Sequence, residues 1–162
     1  MSLREISLSL PNRPGTLAAV ARILASEHIN VAAISVDSAA RTGRVRLIVS
    51  DPDRATRLLE RRGYATEIRE ILAVRLEDRA GSFLAVLDTL AKAKVSVQSV
   101  VILVAREGNQ PLVAISTSDV NRARRLLQKA GFASSVAERI VSNQELLAGS
   151  PTIPGESVGL HR

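Results

Sequence analysis

Apolar residues recur along this chain in two alternating rhythms. Ile6, Leu8 and Leu10 alternate with Ser7 and Ser9, the period of two expected of a half-buried strand. Leu17, Val20, Ala21 and Leu24 then follow at i, i+3, i+4 and i+7, which predicts a helix ending near His28, with Pro14 in its first turn. Ile29 to Val36 is β-branched and apolar, Arg41-Thr42-Gly43 supplies a turn, and Val45, Leu47 and Val49 alternate with Arg44, Arg46 and Ile48, so this stretch predicts a β-hairpin. Asp51 before Pro52 is the cap and first residue of a second helix, Ala55, Leu58 and Leu59 form its buried stripe, and Gly63 ends it. A last strand runs from Tyr64 to about Glu70, and Tyr64 is expected to pack beneath the helices.

The same order then begins again. Arg13, Gly15, Leu17, Val20 and Leu24 recur 66 positions later as Arg79, Gly81, Phe83, Val86 and Leu90. Arg54, Ala55, Leu58, Leu59 and Gly63 recur 68 positions later as Arg122, Ala123, Leu126, Leu127 and Gly131, with Tyr64 answered by Phe132. The two added residues fall in the turn of the second hairpin, where Arg106 to Gln110 has the composition that tolerates insertion. Both halves read βαββαβ, an α+β arrangement of the ferredoxin-like type with two helices on one face of an antiparallel sheet. The expected units are residues 1–70 and 71–141, fused without a Gly/Pro linker through Arg69-Glu70-Ile71. Residues 142–162 are expected to give one short helix, opened by the Ser142-to-Glu145 capping spacing, and then a flexible tail broken by Pro151, Pro154, Gly155 and Gly159.

Composition narrows the function classes. The 162 residues are 46% hydrophobic, enough for a packed core, and no apolar run approaches the ~20 residues of a membrane span, which predicts a cytoplasmic protein with no membrane partner. There is no cysteine, and His28 and His161 share no ligand spacing, so neither a metal nor another cofactor is expected. The net charge of +6 raises the question of a polyanion, but the basic residues are dispersed over the first hairpin turn and two helix faces. The strands that would carry stacking aromatics read Glu5-Ile6-Ser7-Leu8 and Arg46-Leu47-Ile48-Val49, with no aromatic among them, which argues against nucleic acid. Asp51, Asp53, Glu60, Asp78 and Glu107 fall at caps, turns and helix surfaces without acid/base pairing, so no catalytic residue and no enzymatic activity is expected.

One loop carries candidate chemistry. Pro11 to Leu17 joins a strand end to a helix start, where unpaired N–H groups and the positive end of the helix dipole favour a carboxylate and Gly15 permits close approach of a ligand. Read alone, it serves equally as a plain strand-to-helix turn.

With Asn30 opening the next strand, the segment Asn12-Arg13-Pro14-Gly15-Thr16-Leu17 through Ile29-Asn30-Val31 resembles the ACT-domain family, and the likeness runs over nearly all of residues 3–141. The resemblance implies a regulatory module that binds a free amino acid or related small carboxylate where two domains pair edge to edge. In it, Asn12, Arg13, Pro14, Gly15, Thr16, Leu17 and Asn30 are the ligand-binding residues, with the Gly15, Thr16 and Leu17 amides on the carboxylate and the two asparagines at the α-amino end. Glu77-Asp78-Arg79-Ala80-Gly81-Ser82-Phe83 with Ser96 resembles a degenerate copy, in which Ala80 replaces the proline and Ser96 the asparagine. Asp78, Gly81, Ser82, Phe83 and Ser96 form that second site. The family likeness implies a homodimer and an enzyme partner, and its alternative form is the regulatory small subunit of a separate biosynthetic enzyme such as acetolactate synthase.

Overall fold

A computed structural model describes residues 3–38, 41–107 and 110–132. The elements run β1 (Leu3–Pro11), α1 (Thr16–Ser26), β2 (Val31–Ser38), β3 (Thr42–Val49), α2 (Pro52–Arg61), β4 (Thr66–Arg75), α3 (Ser82–Lys92), β5 (Val97–Glu107), β6 (Gln110–Thr117) and α4 (Val120–Lys129). The α+β class and the repeated order are as the sequence predicts. Residues 133–141, where the repeat places the last strand of the second unit, and the expected helix from Ser142 and tail lie outside the described residues.

All six strands form one antiparallel sheet in the order β2-β3-β1-β4-β6-β5. β4 is the shared strand: Thr66 to Ile71 pair with β1, while Leu72 to Arg75 pair with β6 on its other side. Glu70 and Ile71, where the repeat changes over, are consecutive residues of that strand.

Two cores sit beneath the helices. Ile6, Leu8, Leu10, Val45, Leu47 and Val49 meet Val20, Leu24, Ala55 and Leu59, with Tyr64 packed against them. Leu72, Val74, Leu76, Val113 and Ile115 meet Val86, Leu90, Ala123 and Leu127, with Phe132 in the place of Tyr64. Period-two alternation places the other residues of each strand on the opposite face, and there the sheet curls. β2 and β5 stand at opposite ends of the strand order, yet they pack against each other, and Leu3, Ala33, Ile48, Ile71, Ala73, Leu103, Leu112 and Ala114 fill the concave side. The two edge strands meet there without forming a hydrogen-bonded strand pair.

Helix starts divide into two kinds. α2 and α4 are capped by Asp51 and Asp119, whose carboxylates accept the Arg54 and Arg122 amides at 2.9 Å. α1 and α3 begin after Gly15 and Gly81, each at φ 86°, with no side-chain cap. Pro14 therefore precedes the cap position and does not open the helix. Arg4 on β1 holds α2 in place through two 2.7 Å bonds to Asp53, and this hydrogen-bonded guanidinium keeps the Asp53 carboxyl below its ordinary range.

Candidate functional site

The two strand-to-helix loops share one backbone path. In the first, the Arg13 amide donates to the Pro11 carbonyl (2.9 Å), Thr16 to Arg13 (3.3 Å) and Ala19 to Gly15 (2.9 Å). In the second, Arg79 donates to Glu77 (2.8 Å), Ser82 to Arg79 (3.3 Å) and Ala85 to Gly81 (3.0 Å). Ala80 in place of Pro14 thus leaves the turn unchanged. Among the described residues, the first-turn amides of Leu17 and Ala18 have no acceptor, nor do those of Phe83 and Leu84. The Thr16 amide is already engaged, so the anion-receptive donors lie one residue further along than the sequence suggests. Asn12, Arg13, Pro14, Gly15 and Leu17 are exposed and Thr16 is half-buried, its hydroxyl donating to the Arg13 carbonyl at 3.0 Å.

Asn30 does not join this loop within one chain. The Asn12 amide donates to the Arg41 carbonyl (3.0 Å) at the start of β3. The Asn30 amide donates to the Ser50 hydroxyl (3.0 Å) and its carbonyl accepts the Ser50 amide (2.9 Å), at the far end of β3. The span of β3 between them is roughly 25–30 Å. The second unit repeats the separation, with Ser96 bound to Ser118 in the same two ways (3.1 and 2.9 Å), away from Asp78, Gly81, Ser82 and Phe83. A ligand touching both parts of either site requires a second chain surface.

The outer strands offer one. Ile34 and Val36 on β2 lie opposite Leu47 and Val45, on the helix-covered face, yet both are 47% exposed. Val100 and Ile102, 66 residues later on β5, repeat this opposite Ile115 and Val113, at 39% and 73%. Each edge presents the same apolar pair beyond the reach of its own helices.

A charged group sits inside the curl. Glu5 is 4% exposed, on the concave face between Ile48 of β3 and Arg69 of β4. Burial pushes its carboxyl above the ordinary value of 4.5, opposed by Arg46 and Arg69. A raised acid contributes stability that is full below the ordinary value and is lost as pH rises through the raised one. The stability of Glu5→Gln relative to the native chain should therefore grow between pH 4 and pH 7, as measured by urea melts at each pH. A difference that stays constant across that range would show that Glu5 carries no titration-linked cost.

Among the described residues, no group of three His, Asp or Glu side chains could hold a metal ion, and no helix is long and apolar enough to cross a membrane. The model for an ACT domain pair matches residues 1–143. The chain belongs to the ACT domain family. Among solved structures this ACT pair is similar to protein BT0572 from Bacteroides thetaiotaomicron, at 26% identity over 86% of this chain and 96% of that one, with a TM-score of 0.79. It shares its fold with the regulatory subunit of aspartate kinase from Thermus thermophilus, at 20% identity, 80% and 92% coverage and a TM-score of 0.57, and with the corresponding subunit from Thermus flavus, at 20%, 81%, 94% and 0.55. No curated protein sequence matches this chain well enough to count as a relative.

Proposed function

We propose that this ACT pair is a regulatory sensor of a free amino acid, which binds between the Asn12–Leu17 loop of one copy and the edge strand of a second. The observation that carries the reading is the uncapped start of α1. Gly15 in the left-handed region leaves the Leu17 and Ala18 amides without acceptors at the positive end of the dipole, with no side-chain cap, whereas α2 and α4 each carry a capping aspartate whose carboxylate accepts one first-turn amide, that of Arg54 or Arg122. A partner edge running antiparallel to β2 carries its Asn30 end to this loop, which supplies the side chain that the single chain keeps at a distance. Ligand affinity that differs between the paired and unpaired forms then converts amino-acid concentration into an assembly state that an enzyme partner can read.

The test uses matched variants. Gly15→Asp and Gly81→Asp enter the same φ of 86°, and at both positions a new Cβ meets nothing within 4 Å, so the two carry equal backbone strain. Each adds a negative charge beside its own helix start. Calorimetric titration with each of the twenty amino acids should show binding lost in Gly15→Asp and largely kept in Gly81→Asp, because Asn12, Pro14 and Asn30 occur in the first unit and are replaced by Asp78, Ala80 and Ser96 in the second. The reverse pattern would move the site to the second unit.

A further inference from the structure

The repeat writes one pattern of charge onto two helices. Arg54, Arg57 and Arg61 stand on α2 at i, i+3 and i+7, and 68 residues later Arg122, Arg125 and Lys129 stand at the same steps on α4. This spacing puts the three cations on one side of each helix, away from the buried Ala55 and Leu59 of α2 and Ala123 and Leu127 of α4. Apart from Arg54, all of them are exposed without an ion pair to any described residue. Both helices pack on β4, and on the same face of the sheet, because Ile68 opposite Ile6 alternates onto the side of Leu72 and Val74. Charges that are far apart in sequence thus share one surface.

The carboxylates of that surface are already engaged. Asp51 and Asp119 cap the helices, Asp53 binds Arg4, Glu60 accepts the Thr66 hydroxyl at 2.9 Å, Glu27 pairs with Arg54 and Glu70 with Arg124. The helix dipole accounts for Arg61 and Lys129, which lie in the last turns. It does not account for Arg57 and Arg125 in mid-helix, and it disfavours Arg122, a cation in the first turn of α4. Five like charges without an internal counterion repel one another, and an acidic partner relieves that repulsion. The spacing says which kind. Steps of three and four residues advance about 4.5 and 6 Å along a helix axis, and carboxylates at i, i+3 and i+7 of a second helix advance by the same amounts. Neither stripe carries an aromatic side chain on which a nucleic-acid base could stack.

We infer that the basic stripes of α2 and α4 form a docking surface for a helix of a partner protein that carries acidic side chains along one side. The probe is a fluorescein-labelled 16-residue alanine-based peptide with glutamates at positions 2, 5, 9 and 12, followed by anisotropy with the full chain and no amino acid present, so the outcome is separate from that of the loop reading. It should bind saturably at 20 mM salt, at least ~10-fold more weakly at 300 mM, and more tightly than a peptide of the same composition whose glutamates are spread around the helix. Arg57→Glu with Arg125→Glu should weaken binding at least ~10-fold, whereas Arg41→Glu with Arg44→Glu at the β2–β3 hairpin, an equal change in net charge, should weaken it less than ~2-fold. Arg57→Gln with Arg125→Gln, which removes charge without reversing it, should weaken binding at least ~3-fold and covers the case in which the reversed variant fails to fold. The inference is overturned by absent or non-saturable binding, by equal affinity for the spread peptide, by equal losses in the helix and hairpin variants, or by tighter binding of a 12-nucleotide oligodeoxythymidylate than of the patterned peptide.

Discussion

Leu59→Ala and Leu127→Ala should each cost about 3–4 kcal/mol, within the range for fully buried leucines, and the two costs should be similar. Leu59 is fully buried on α2 against β1 and β3, and Leu127 stands at the equivalent position on α4 at 3% exposure. The more telling expectation is that either substitution lowers the single unfolding midpoint of the whole molecule. β4 contributes Thr66 to Ile71 to one half of the sheet and Leu72 to Arg75 to the other, and the concave core takes Leu3 and Ile48 from one unit with Leu103 and Leu112 from the other. Neither half can lose its packing without stripping a strand from its neighbour. Urea unfolding followed by circular dichroism and by Tyr64 fluorescence should give coincident curves for both variants; two separated transitions would show the units to be energetically independent.

The second large effect concerns assembly. Ile34→Glu combined with Ile102→Glu should raise the dissociation constant of the proposed homodimer at least ~100-fold, the equivalent of about 2.7 kcal/mol, because each apolar side chain that loses its cover forfeits about 1.5–3 kcal/mol and each buried charge adds a further cost. Both side chains already face solvent in the single chain, at 47% and 73% exposure, so the monomer's own core is untouched. Sedimentation velocity over a concentration series checks this. An unchanged dimer in the double variant would place the interface elsewhere, and a native chain that stays monomeric at all concentrations would remove the partner edge from the account.

Much of the architecture was legible because this chain states it twice. Repeat offsets of 66 and 68 exposed the two units, and Asp51-Pro52 and Gly63 marked one helix at both ends, since a cap, a fixed φ and a left-handed exit each demand particular residue types. The sequence was less informative where the backbone conformation is not announced by glycine. His28 and Lys94 take φ values of 55° and 56° just beyond α1 and α3, a turn repeated in the structure but hidden behind side chains that suggest only a favourable charge at a helix end. The curl of the sheet was also missed. Its signals were Leu3, Ile48, Ile71 and Ala73, apolar residues on the face that alternation assigns to solvent, and Ile48 in particular breaks the polar series of Arg44 and Arg46. Likeness to the family groups loop and asparagine together, but sequence spacing cannot say that a loop, a helix and a turn carry Asn30 to the far end of β3 from Asn12.

The measurement that reaches the central claim most directly is a thermal-shift screen of the native chain against each of the twenty amino acids over a concentration series. A ligand specific for the folded state adds about 2.7 kcal/mol at 100 times its dissociation constant, several degrees for a domain of this size. The account predicts that one amino acid, or a small chemically related group, raises the midpoint saturably, and that the rise disappears in Gly15→Asp. A chain whose midpoint is moved by none of the twenty, or by all of them equally, would contradict it.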